Sequence, residues 1–186
     1  MRLVVRPIVR DTALAWLRTH RHLPPPSGGW LLGAAVHAGD RLCTVAIVER
    51  PARLLCDGVT ACVSRLCTDR TPNAATKALG AVTRACLALG YRRLVSYTLL
   101  GESGHCYRAA GWRVTAIVRA EPTWGRRGRS RRPAVQPGRK ARWETGPDAA
   151  PLDVAADALV RASVGVVEVP TLFGDAAATS RATGGG

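Results

Sequence analysis

Two short apolar stretches of the chain are separated by a segment whose hydrophobic positions switch to a helical spacing. Residues 59–67 place apolar side chains at Val59, Ala61, Val63, Leu66 and Cys67, and residues 94–99 at Leu94, Val95, Tyr97 and Leu99, which predicts two strands. Between them Ala74, Lys77, Ala78, Ala81, Val82, Ala85 and Leu89 recur three and four residues apart, with Thr71 or Asn73 as the cap and Gly90 as the stop. A helical crossover makes the strands it joins parallel, so this stretch is expected to be a βαβ unit.

The flanking pattern is different. Residues 1–9 alternate apolar and basic positions and read as a strand, with Pro7 best tolerated at a sheet edge. A helix follows through Ala13, Leu14, Trp16 and Leu17, capped by Asp11 or Thr12, and then a loop from His20 to Gly29 that three prolines keep extended. Residues 30–37 and 41–50 read as strands joined by a tight turn at 38–40, and Asp57-Gly58 marks a second turn. After residue 99 the pattern predicts a short helix ending at Ala110-Gly111, strands at 112–120 and 139–144, and a long loop at 122–138. Antiparallel strands followed by a parallel crossover predict an α/β fold with one mixed, mostly antiparallel sheet and helices on its faces. Beyond Glu144 the composition turns to Ala, Asp, Gly and Pro, with a weak helix at 150–163, an apolar piece at 164–172 and a tail at 176–186 that reads as disordered. The expected organisation is one domain over 1–144 and a tail over 145–186.

Composition narrows the class. In 186 residues, 47% hydrophobic content is enough to fill one core. No apolar run approaches the roughly 18 residues of a membrane span, and Arg6 and Arg10 interrupt any leader-like core, so a cytoplasmic protein is expected. Six cysteines show no CxxC pair and read as small buried hydrophobes in a reducing compartment. The four histidines are not spaced with them as metal ligands would be. The net charge of +14 is uneven: residues 1–143 hold 25 Lys and Arg against 7 Asp and Glu, whereas the remainder is acidic. Arginine supplies nearly all of it, which fits a GC-rich coding bias as well as a footprint for a polyanion.

The loop Thr68-Asp69-Arg70-Thr71-Pro72-Asn73 lies where a phosphate would meet the free amides and positive end of the crossover helix, with Arg70 and Lys77 adding charge. Neither GxGxxG nor GxxxxGK[ST] is present, which argues against the common dinucleotide and Walker-type sites. The strand–loop–helix–strand followed by Tyr107-Arg108-Ala109-Ala110-Gly111-Trp112 resembles the GNAT superfamily of coenzyme A-dependent acyltransferases. More narrowly, His20-Arg21-His22, the run from Val45 to Pro51, Arg65-Leu66-Cys67-Thr68-Asp69 with Asn73-Ala74, and the run from Tyr91 to Leu99 resemble a small GNAT-like family of phages and mobile elements. Two features depart from the resemblance. The glycines of a Q/R-x-x-G-x-G/A pyrophosphate motif are missing, and Cys62 stands where relatives often carry a glutamate early in the fourth strand.

The resemblance implies a β1-α1-β2-β3-β4-α-β5-α-β6-β7 order in which the fourth and fifth strands splay near Cys67. It implies acetyl-coenzyme A, or another acyl-coenzyme A, as cofactor, its pantetheine against Leu66, Cys67 and Thr68 with Thr98 opposite. The pyrophosphate would then lie on Arg70, Thr71, Pro72, Asn73, Ala74, Ala75 and Thr76. Tyr107 occupies the place of a tyrosine that protonates the departing thiolate, or else packs beneath the helix. His20 and His22 lie where the acceptor pocket is walled, as contacts or bases, or are loop histidines without a role. Arg126, Arg127, Arg129, Arg131 and Arg132 would overhang the acceptor side and meet DNA, RNA or another polyanion, or form a solvated loop. The expected function is transfer of an acetyl or other acyl group to an amine, such as a nucleobase amine. The rival is a binding protein of the same fold, without catalysis, that grips nucleic acid or a host protein through its arginines.

Overall fold

A computed structural model describes residues 2–20, 29–120 and 138–164. Seven strands form one sheet: β1 (Leu3–Pro7), β2 (Trp30–Ala38), β3 (Arg41–Glu49), β4 (Thr60–Thr68), β5 (Arg93–Leu99), β6 (Arg113–Ala120) and β7 (Gly138–Thr145). Their order across the sheet is β1-β2-β3-β4-β5-β7-β6. Of the described pairs only β4 with β5 is parallel, joined by the crossover helix α2 (Ala74–Ala88). The expected mixed sheet and parallel crossover are thus both present.

Helices cover the two faces unequally. On one face α1 (Arg10–Thr19) buries Ala13, Leu14 and Leu17 against Val45, Ile47 and Cys67. On the other, α2 buries Ala74, Ala78, Leu79, Val82 and Cys86 in the main core, together with residues of α3 (His105–Ala109) and α4 (Val154–Ala162). Each large aliphatic side chain buried there contributes about 1.5–3 kcal/mol. The buried face of α2 is rotated from the expected one: Leu79 and Cys86 are inside, whereas Leu89 is 69% exposed. The helix starts also differ. Val9, not Asp11 or Thr12, is the N-cap of α1, and neither it nor Asn73 at the start of α2 makes a side-chain cap bond.

Two local features shape the sheet. The β2–β3 turn is Gly39-Asp40, and Gly39 takes the positive φ (62°) that the first position of such a two-residue turn demands. In β4 one residue is extra. Ile47 pairs with Arg65 and Val48 with Val63, so Ser64 bulges out. The bulge resets the alternation of side chains, so that Val63 and Leu66 both pack in the main core while Cys67 packs under α1.

The far end of the sheet is closed by α4. Asp153 accepts from Ala156 N at 2.9 Å as its cap, Asp153 N donates to Val114 O at 2.9 Å, and Arg108 pairs with Asp157 at 2.6 Å. Ala156 and Val160 are buried in the main core, which therefore takes in residues beyond 144. At its centre Trp143, fully buried, stacks on Tyr107 (centroids 5.3 Å apart) and donates from Nε1 to Thr98 Oγ1 at 2.9 Å. Gly104 (φ 61°) lies against that indole, and a Cβ there would meet Trp143 Cζ2 at 2.1 Å. Gly104→Ala is therefore expected to cost about 2 kcal/mol or more in thermal or urea unfolding. Gly39→Ala, at a similar φ but with nothing within 4 Å, is expected to cost only about 1 kcal/mol.

Candidate functional site

The β4–β5 ladder runs from Thr60↔Arg93 to Val63↔Ser96 and stops, although β4 continues to Thr68 and β5 to Leu99. The strands therefore part at the Ser64 bulge, earlier than the expected position near Cys67. A cavity of about 720 Å³ occupies the fork and extends to the start of α2.

The apex of the fork carries a hydrogen-bonded chain. Ser96 Oγ donates to Val63 O at 2.8 Å, and its lone pair lies 2.7 Å from Tyr107 Oη. Ser96 has one proton, so the tyrosine is the donor in the second bond. Burial holds the Tyr107 hydroxyl well above the usual tyrosine value, and it stays protonated through the neutral range. Tyr107 lines the cavity between Trp143 and Trp112, 5.3 and 5.5 Å away by ring centroids.

The loop before α2 is held from both sides. Arg41 Nη1 donates to Asp69 Oδ2, Arg41 Nη2 donates to Thr71 Oγ1 at 3.1 Å, and Thr71 N donates to Asp69 Oδ1 at 2.9 Å. Thr68 Oγ1 accepts from Thr44 Oγ1 at 2.9 Å and from Arg70 N at 3.1 Å. Burial by itself would raise the Asp69 carboxyl, but hydrogen bonds from Thr71 and the charges of Arg41 and His20 bring it below the usual range. Within this frame Arg70 (φ 69°) and Asn73 (φ 62°) are the two described non-glycine residues with positive φ. The turn that glycines would make is thus made without them.

The cavity gathers Leu66, Thr68, Arg70, Thr71, Asn73, Ala75, Thr76, Thr98 and Tyr107 of the expected site residues. Three others do not line it. Cys67 is turned by the bulge into the core under α1, Ala74 is fully buried beneath α2, and Pro72 lies outside the lining. His20 does not reach the cavity either; it stacks on Trp16 at 3.6 Å and its Nδ1 lies 3.0 Å from Trp16 O. His22, Arg126, Arg127, Arg129, Arg131 and Arg132 lie outside the described residues.

Several lining residues were not among those expected, Ser96 and Glu102 being two polar ones with a defined hydrogen bond at the fork. Ser96 looked like an interruption in an apolar strand. Glu102 sat in a Gly-Glu-Ser-Gly turn, and its one signal was its place three residues past β5. All six cysteines are free, and burial pushes Cys62 up to about 12 and Cys67 to about 11, which leaves no activated thiolate at either. Among the described residues no group of three or more His, Cys, Asp and Glu could hold a metal ion, and no helix is long and apolar enough to cross a membrane.

No protein-family model matches the chain, and no curated protein matches it by sequence. Solved structures do match its fold. The ribosomal-protein-S18-alanine N-acetyltransferase of Escherichia coli has a TM-score of 0.56 at 10% identity, covering 82% of this chain and 99% of its own. An acetyltransferase of Bacillus subtilis, solved with CoA, has a TM-score of 0.53 at 12% identity (78% and 99% covered). A GNAT family acetyltransferase of Elizabethkingia anophelis, solved with acetyl-CoA, scores 0.50 at 13% identity (77% and 97% covered). The chain has the GNAT fold. At these identities the likeness concerns the backbone alone, and the chemistry of this GNAT fold must be argued from its own residues.

The positive φ at Arg70 is directly testable. Arg70→Gly is expected to hold or raise stability, by up to about 1 kcal/mol, because glycine takes this conformation without strain. Arg70→Val, branched at Cβ, is expected to lower the melting temperature; equal melting of the two variants would contradict the loop conformation.

Proposed function

We propose that the protein transfers an acyl group, most simply acetyl, from coenzyme A to an amine. The observation that carries this reading is the parted β4–β5 fork with a protonated tyrosine at its apex and a cationic loop at its mouth. The fold shared with acetyltransferases solved with CoA and acetyl-CoA supports it.

The residues present fit such a cofactor. Backbone groups of β4 freed by the fork, between Leu66 and Thr68, would pair with the pantetheine arm. The amides at the start of α2, with Arg70 and Thr76, would receive the pyrophosphate. Held so, the thioester would come within reach of Tyr107 at the apex of the fork. Attack of the amine on the thioester carbonyl expels a thiolate, and the Tyr107 proton, donated to Ser96 at rest, passes to the sulfur. No covalent enzyme intermediate is involved, in keeping with the raised thiols of Cys62 and Cys67. Positioning two reactants in one cleft supplies much of the acceleration.

For the acceptor we favour an amine borne by a polyanion, a nucleobase amine being the simplest example. The excess of basic over acidic residues in 1–143 and the arginine run at 126–132 support it, and so does the resemblance of the sequence to GNAT-like proteins of phages and mobile elements.

Acetyl-CoA at about 100 times its Kd is expected to raise the melting temperature by roughly 5 °C. Tyr107→Phe should keep that shift while slowing thiol release about 100-fold; an unchanged rate would remove Tyr107 from the reaction. Deleting residues 126–132 is expected to weaken binding to a double-stranded DNA oligomer and to flatten its salt dependence. Unaltered affinity at low salt would contradict the polyanion reading.

A further inference from the structure

The reaction proposed above needs a group that takes the proton of the acceptor amine; of the two histidines expected for this, His20 is stacked on Trp16 and does not line the cavity, and His22 lies outside the described residues. A carboxylate stands in the fork instead. Leu100 N donates to Arg139 O of β7 at 3.1 Å. Successive amides of a strand point to opposite neighbours, so Leu99 N points toward β4, into the gap that opens after Ser96. Glu102 fills that vacancy. Its backbone N donates to Leu99 O at 3.2 Å, closing the turn, and its Oε2 accepts from Leu99 N at 2.8 Å. The carboxylate is thereby fixed at one oxygen, and both Glu102 and Tyr107 line the cavity.

We propose that Glu102 is the catalytic base of this site, taking the proton of the acceptor ammonium in the fork between β4 and β5; the assignment rests on the acyl-transfer reading. One N–H proton goes to Glu102, and the freed lone pair forms the N–C bond at the thioester carbonyl. As the adduct collapses the C–S bond breaks, Tyr107 protonates the sulfur, and the second N–H proton is passed back through water to the tyrosine.

The surroundings suit this role. Burial raises the Glu102 carboxyl above its usual value, against the lowering effects of the Leu99 amide and of Lys140 on β7. The other titratable groups about it are Cys106 and Tyr107 of α3, His105 and Arg65, all of which line the cavity. Lys140 is itself lowered, first by burial and then by Arg65. A base raised toward neutrality accepts a proton more readily than an ordinary carboxylate does, and the cations beside it favour a neutral amine over an ammonium.

The test compares two nucleophiles with acetyl-CoA: benzylamine, which arrives protonated and needs a base, and hydroxylamine, which arrives neutral. Glu102→Gln is expected to keep the acetyl-CoA melting shift and to slow benzylamine transfer by about 100-fold relative to hydroxylamine. The acidic limb of the benzylamine pH–rate profile should move up to the ionisation of the amine itself, and Glu102→Asp should restore part of the rate. Equal losses with both nucleophiles, an unchanged profile, or a wild-type protein that binds acetyl-CoA yet releases no thiol above buffer with either amine would overturn the assignment. Absence of the acetyl-CoA shift in the wild type would instead overturn the acyl-transfer reading beneath it.

Discussion

The site depends on one irregularity in a hydrogen-bonded ladder. A single extra residue, Ser64, lets β4 remain paired with β3 along its length while its other edge leaves β5 after Val63↔Ser96. Opening a sheet in its middle is unfavourable, since each buried backbone group left unpaired costs about 1–3 kcal/mol. Two side chains of β5 and its following turn offset this. Ser96 Oγ occupies the Val63 carbonyl and Glu102 occupies the Leu99 amide. The fork is thus lined by side chains that satisfy its freed backbone groups, and the Trp143–Tyr107 stack lies beside it.

The loop at the mouth of the fork solves a second backbone problem. A turn that lets several amides converge needs positive φ, ordinarily the province of glycine. Arg70 and Asn73 take it instead, at a cost of order 1–3 kcal/mol each. What holds them is tertiary: Arg41 on β3 reaches across to Asp69 and Thr71, and Thr44 reaches Thr68. The Arg41–Asp69 pair is partly exposed, so its worth lies in fixing the turn more than in Coulomb energy. Charge at the site is divided accordingly, with Arg70 at the loop and one carboxylate, Glu102, among the described lining residues.

The βαβ unit could be read from the chain because its cause is local: strand periodicity, helical periodicity and the stop at Gly90 all lie within one stretch, and a crossover of that length allows only a parallel pair. The loop residues could be named for the same reason and those of β4 through the resemblance to GNAT proteins, and most of them line the cavity. The bulge at Ser64 was not legible in the sequence, and it turns the Cys67 side chain under α1. The exposure of Leu89 and the burial of Leu79 reflect the angle at which α2 meets the sheet, which its own periodicity does not contain.

By itself, then, the sequence determined the order of elements, the mixed sheet and the position of the cationic loop, since each follows from propensity and spacing within a few residues, whereas Tyr107 was singled out by the resemblance to GNAT proteins. Only the tertiary structure decided where the strands part, that the Ser96 hydroxyl donates its hydrogen bond to Val63 O and so makes Tyr107 a donor, and that the Glu102 carboxylate takes up the Leu99 amide. These depend on which backbone groups are left without a partner once the strands are laid side by side. That quantity belongs to pairs of segments far apart in the chain and to no one of them alone.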